Sequence, residues 1–203
     1  MRIIGITGSI ASGKTTAANL MAGKKYPLFS ADGVVSNLYR KNFFIKSIVK
    51  TFKLNNNKKI KEQVKIALKK NRKNLYKLEA IIHPLVRKEM KTFLKKKSKF
   101  LFLEIPLLIE SKLKKYFDIV VFVDAKKKIR LKRYSKRNGN KKTFKILDSR
   151  QLSPAVKKKI CDYTINNNNS LVILRKNVKD FINKYELSIS RHRNNRPLST
   201  RQT

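Results

Sequence analysis

Short apolar runs punctuate the chain at Ile3-Ile4-Gly5-Ile6, Pro27-Leu28-Phe29-Ser30, Phe100-Leu101-Phe102-Leu103-Glu104-Ile105 and Ile119-Val120-Val121-Phe122-Val123. The last two lack polar alternation, as strands of a parallel sheet covered on both faces do. A fifth strand comes from Tyr163-Thr164-Ile165 or from Leu171–Leu174, with 166–170 as the turn between them. The stretches Thr16–Ala22, Lys58–Lys70, Asn74–Ile82, Lys126–Arg137, Lys141–Gln151 and Asn177–Ile189 read as helices. Asn55-Asn56-Asn57 is a polar loop. Pro84 disfavours helix at His83 and suits the first turn of a new helix to Leu94. Strands alternating with helices predict a doubly wound α/β fold with a five-stranded parallel sheet. Ligands of such sheets lie beyond the carboxyl ends of the strands. Residues 190–203 are polar and basic and predict a disordered tail.

Between the first apolar run and the first helix lies Gly8-Ser9-Ile10-Ala11-Ser12-Gly13-Lys14-Thr15, a G-x-x-x-x-G-K-[ST] phosphate loop in its strand–turn–helix context. Gly8 and Gly13 let the backbone curl around an anion. The amides of Ala11, Ser12, Gly13, Lys14, Thr15 and Thr16 point at phosphate oxygens, Lys14 reaches the β- and γ-phosphates, and the Thr15 hydroxyl can ligate Mg²⁺. The cofactors expected are ATP and Mg²⁺. No Asn-Lys-x-Asp segment for guanine is visible, which argues against a GTPase.

The chain has 203 residues, 41% hydrophobic, so one compact domain with a small insert is the default. Lys and Arg number 51 against 12 Asp and Glu, a formal charge of +39. Such a field attracts polyanions. A composition drift would look the same, and the even spread of basic residues favours it. No aromatic-rich nucleic-acid motif accompanies the charge, so nucleic acid is not a required partner. Weak nonspecific binding remains compatible with it. The single Cys161 excludes an intrachain disulfide and fits a reducing compartment. The opening residues read as a strand rather than a signal peptide. No apolar run approaches the roughly 20 residues a membrane helix needs. A soluble, cytoplasmic protein without a membrane partner is expected.

A small kinase needs a carboxylate near the γ-phosphate, an acceptor module and a cationic lid. Asp32 lies just past the second strand, whose end should neighbour the phosphate loop, and is either that carboxylate or a helix N-cap. Arg130, Arg133 and Arg137 share one helix face, which is either a lid over ATP or a solvated basic surface. His83 has only a weak signal of its own, that of a capping or packing residue. Residues 34–97 are long for a connector and form the natural acceptor-binding insert.

Together these residues resemble the dephospho-CoA kinase family, from about residue 3 to about 169. The resemblance rests on Ile4 to Thr16, Ser30-Ala31-Asp32, His83-Pro84-Leu85-Val86, Ile105-Pro106-Leu107-Leu108-Ile109-Glu110, Arg150-Gln151 and Asp162 to Asn167. It implies a P-loop NTPase-type core (1–33, 98–125 and 143–189), a helical coenzyme-binding insert (34–97) and a lid (126–142). It further implies transfer of the ATP γ-phosphate to the 3′-hydroxyl of dephospho-CoA, with Asp32 as base and Arg137 as lid residue. Asn167 would contact adenine, and His83, Leu107, Leu108 and Glu110 would belong to the acceptor site. Other nucleoside or nucleotide kinases of the same fold are the alternative, and a basic nucleic-acid-binding protein that kept a phosphate loop is a second. The chain departs from the family pattern in four places. Ser9 and Ala11 replace loop glycines but are small enough to fit, Ser30 replaces an Asp, and Glu104 stands where Asp is common. Glu104 either touches Mg²⁺ through water or has no role.

Overall fold

The structure is a computed structural model that describes the backbone of residues 1–55, 59–71 and 73–194, and their side chains except at 69 and 187–194. In chain order it runs β1 (Arg2–Gly8), α1 (Lys14–Ala22), β2 (Leu28–Ser30), α2 (Ala31–Leu38), α3 (Asn42–Phe52), α4 (Ile60–Lys70) and α5 (Lys73–Leu94). It continues with β3 (Phe100–Glu104), β4 (Ile119–Asp124), α6 (Lys127–Ser135), α7 (Lys141–Ser149), α8 (Pro154–Ile160), β5 (Tyr163–Asn166) and α9 (Leu171–Asn194). The five strands form one sheet in the order β2-β3-β1-β4-β5, and every pairing is parallel. The doubly wound α/β expectation holds.

Both faces of the sheet are covered, which is why β3 and β4 are buried at every position. On one face Ile4, Ile6, Phe100, Phe102, Val121 and Val123 meet α1 and α9. On the other, Phe29, Leu101, Leu103 and Val120 meet Met90 and Phe93 of α5. A third cluster, Leu38, Phe44, Ile48, Val64 and Leu78, joins α2 to α5 within the insert.

Several expectations are corrected. β3 lies between β1 and β2, so the end of β2 is not the loop's direct neighbour. Asp32 does not cap α2: the Ser30 side chain does, accepting from the Gly33 amide at 3.2 Å, and Asp32 sits in the first turn. Pro84 does not divide two helices but lies inside α5. An interior proline costs about 3 kcal/mol or more, and burial on two sides offsets it. Ile81, Ile82 and Leu85 pack in the insert cluster, whereas Val86, Met90, Phe93 and Leu94 pack beneath the sheet. α6 stops at Ser135, so Arg137 lies beyond the helix rather than on its face. Leu171–Leu174 belongs to α9 because Leu174, Val178 and Phe181 recur at helical spacing along one buried stripe. α9 reaches Asn194, past the expected tail boundary at Ser190. Asn56, Asn57 and Lys58 of the expected loop and helix start, and residues 195–203 of the tail, lie outside the described residues. Among the described residues no helix is long and apolar enough to cross a membrane.

Candidate active site

The phosphate loop spans the carboxyl end of β1 and the start of α1. Gly13, the N-cap of α1, has φ 91°, and a Cβ there would stand 2.2 Å from Asn167 Nδ2. A Cβ on Gly8 would stand 2.4 Å from Ser12 Oγ and 2.9 Å from the Val123 carbonyl. Both motif glycines are therefore demanded by space. No side chain caps α1 and its first turn holds no acid, so its N–H donors and positive dipole end are offered to an anion.

Ala11 also adopts a left-handed backbone, with φ 58°. Its size is accommodated, as the sequence suggests, but its conformation costs an L-residue about 1–2 kcal/mol. Ala11→Gly should thus raise stability by about 0.5–1 kcal/mol after the larger chain entropy of glycine is subtracted, read as a rise in the denaturant midpoint. A lowered midpoint would contradict that conformation.

Glu104 closes β3 beside the loop and is 1% exposed. The Thr15 hydroxyl donates to its Oε1 at 2.5 Å and the Ser30 hydroxyl to its Oε2 at 3.2 Å. One carboxylate thus ties the loop, β3 and the start of α2 together, and Asp32 follows two residues later, exposed. A carboxylate inside an apolar strand has to be satisfied, and that rule was the signal available in the sequence. Donating to Glu104 leaves the Thr15 oxygen lone pairs free, so the pair fits a Mg²⁺ ion shared with nucleotide phosphates. No cluster of three or more acid, His or Cys ligands exists among the described residues.

The opposite wall comes from α6 and β5. Asn167, buried at the end of β5, donates to the Ser12 carbonyl at 2.8 Å. Arg133 donates to the same carbonyl and to Asn167 Oδ1, each at 3.3 Å. Burial, and secondarily the charge of Arg137, pushes the Arg133 guanidinium below its usual pKa. Two crowded guanidinium groups beside a phosphate loop make a site that favours an anion. Arg130 is no surface residue: it is 2% exposed and donates to Asp148 Oδ1 at 2.6 Å.

Lys14 is half-buried at the start of α1, Thr16 is exposed, and Arg137 is exposed beyond α6. His83 is exposed in the middle of α5. Leu107 is 40% exposed, but Leu108 is fully buried. Leu108 lies over Gly5 beside Phe117, so its side chain belongs to the core. Glu110 accepts from the Leu152 amide at 3.0 Å, and its Oε1 lies 2.9 Å from the Nζ of fully buried Lys157. That ion pair is Coulombic, since neither Glu110 Oε2 nor Lys157 Nζ meets hydrogen-bond geometry. Truncating either partner strands a buried charge at about 3–5 kcal/mol. Lys157 carried no signal in a chain this rich in lysine. Cys161 is chemically quiet: burial pushes its thiol up to about 11.

The family model for dephospho-CoA kinase matches residues 2–172. The chain belongs to the dephospho-CoA kinase family. The dephospho-CoA kinase of Agrobacterium fabrum is 34% identical over 191 residues, covering 91% of this chain and 98% of its own. The solved dephospho-CoA kinase from Campylobacter jejuni superposes with a TM-score of 0.67 at 26% identity, covering 92% of this chain and 98% of that one. The shikimate kinase of Acinetobacter baumannii, at 13% identity and a TM-score of 0.57 over 93% of this chain and 94% of its own, shares the fold alone. Family membership makes the chain an ATP-dependent kinase, and its phosphate loop is the family's nucleotide grip.

Proposed function

We propose that the protein transfers the γ-phosphoryl group of ATP to the 3′-hydroxyl of dephospho-CoA, forming coenzyme A, in the cytoplasm. The observation that carries this reading is the Thr15–Glu104–Ser30 chain of hydrogen bonds, which fastens the phosphate loop to the helix turn bearing Asp32. Lys14 and the amides from Ala11 to Thr16 hold the β- and γ-phosphates. Thr15 would hold Mg²⁺, with Glu104 orienting its hydroxyl, and the ion supplies charge neutralisation at the transferring oxygens. Asp32 accepts the proton as the acceptor oxygen bonds to phosphorus and the bond to the β,γ-bridging oxygen breaks, releasing ADP. Arg137, flanked by Arg133, neutralises the charge on the group in flight, and Asn167 shapes the nucleotide side of the loop. Residues 1–33, 98–125 and 143–189 form the nucleotide-binding core, 34–97 the acceptor module with His83 at its helix, and 126–142 the lid. Leu107 and Glu110 border the acceptor side.

Release of ADP is the deciding measurement. Turnover should require dephospho-CoA, and a panel of nucleosides and nucleotides should not replace it. Equal turnover with a nucleoside would overturn the acceptor assignment.

A further inference from the structure

We infer that Gln151 is a positioning residue for the ATP grip, holding the phosphate loop in its binding shape from outside the loop. Ile10, the third residue of the loop, has both its main-chain polar groups held by side chains. Its N–H donates to Gln151 Oε1 at 2.9 Å, and its carbonyl accepts from Arg130 Nη1 at 3.4 Å. Arg130 is itself fixed by Asp148 Oδ1 at 2.6 Å and by the Ala125 carbonyl at 3.1 Å. Gln151 is set by its own amide, which donates to the Asp148 carbonyl at 3.2 Å. The grip is thus one assembly, built around Asp148 at the end of α7.

The next residue reaches elsewhere. The Leu152 amide donates to Glu110 Oε1 at 3.0 Å, in the segment that follows β3. The α7–α8 corner therefore touches the phosphate loop with one residue and the acceptor-side segment with its neighbour. Ile10 precedes Ala11, the left-handed residue at φ 58°, so a fixed Ile10 opposes relaxation of that strained turn. A loop held in advance spends less of its binding energy on ordering when the phosphates arrive.

This inference rests on the reading of the loop as the ATP grip, and its test measures ATP binding directly, by calorimetry on the acceptor-free protein. Gln151→Met keeps the length of the side chain and removes the acceptor, leaving the Ile10 N–H without its partner. Gln151→Glu keeps an acceptor oxygen for the Ile10 N–H. The Met variant should bind ATP about tenfold more weakly, an effect of roughly 1.4 kcal/mol. Its KM for dephospho-CoA should stay within about twofold and its thermal midpoint near wild type. The Glu variant should recover to within about threefold of wild type in ATP affinity. ATP binding by the Met variant at wild-type strength, equal weakness of the Met and Glu variants, or parallel loss of both substrates would overturn the assignment. A wild-type protein that binds ATP but does not phosphorylate dephospho-CoA would overturn the proposed reaction and leave the Gln151 comparison standing.

Discussion

Asp32→Asn should cut turnover by about 10²-fold or more while the Kd for ATP stays within about threefold. The amide keeps the shape of the side chain and its place in the first turn of α2, but it cannot take the proton of the attacking hydroxyl. Ser30, not Asp32, caps that helix through the Gly33 amide at 3.2 Å, so the substitution removes no cap. Loss of activity then reports chemistry rather than unfolding. The check is single-turnover ADP formation alongside calorimetric ATP binding. Turnover within about threefold of wild type would remove Asp32 from the reaction.

The second large effect belongs to Glu104. Glu104→Ala should lower kcat/KM by about 10²-fold and shift half-maximal activity to higher Mg²⁺, because the Thr15 hydroxyl loses the partner that orients it at 2.5 Å. Glu104→Asp should fall between the two, since a side chain one methylene shorter cannot span both Thr15 and Ser30. A Mg²⁺ titration of each variant separates orientation of the metal ligand from simple loss of structure. An unchanged Mg²⁺ dependence in the Ala variant would contradict the role given to Glu104.

Two places where the chain departs from the pattern it resembles lie in contact. Ser30 replaces one acid and Glu104 lengthens another, and the two side chains touch, with Ser30 Oγ donating to Glu104 Oε2 at 3.2 Å. A carboxylate at position 30 would face the buried Glu104 carboxylate as a like charge, whereas a hydroxyl satisfies it. The longer Glu spans from Ser30 to Thr15. Read one at a time along the chain the departures look independent. Their contact is a fact of strand order, with β3 between β2 and β1.

That distinction separates what the sequence discloses from what it hides. β1, β3 and β4 are legible because continuous apolar runs have one economical home, the middle of a covered parallel sheet. The phosphate loop is legible because its glycines are imposed by atoms within a few ångströms, and the motif encodes them. Periodicity along the chain says nothing about which strands become neighbours, so the insertion of β3 was hidden. It also weighs Pro84 by local cost alone, whereas the apolar stripes on either side of that residue hold α5 together. The seven residues of α8, Pro154–Ile160, carry three consecutive lysines that mask their register, although Lys157 is fully buried against Glu110. Arg130, Arg133 and Arg137 read as one helix face, either a lid over ATP or a solvated basic surface, yet Arg130 and Arg133 turn inward to carbonyls of the phosphate loop. Leu108 reads as part of a recognition motif, yet space over Gly5 makes it core.

α5 is one rod that runs through two hydrophobic clusters, with Leu85 the last residue in one and Val86 the first in the other. Melting the helical insert on its own would strip the rod of half its apolar contacts and leave the remainder, carrying a proline defect at its middle, to keep the sheet's lower face dry. The insert and the nucleotide core are therefore fused in free energy as well as in sequence, and heat should take them apart in a single cooperative step.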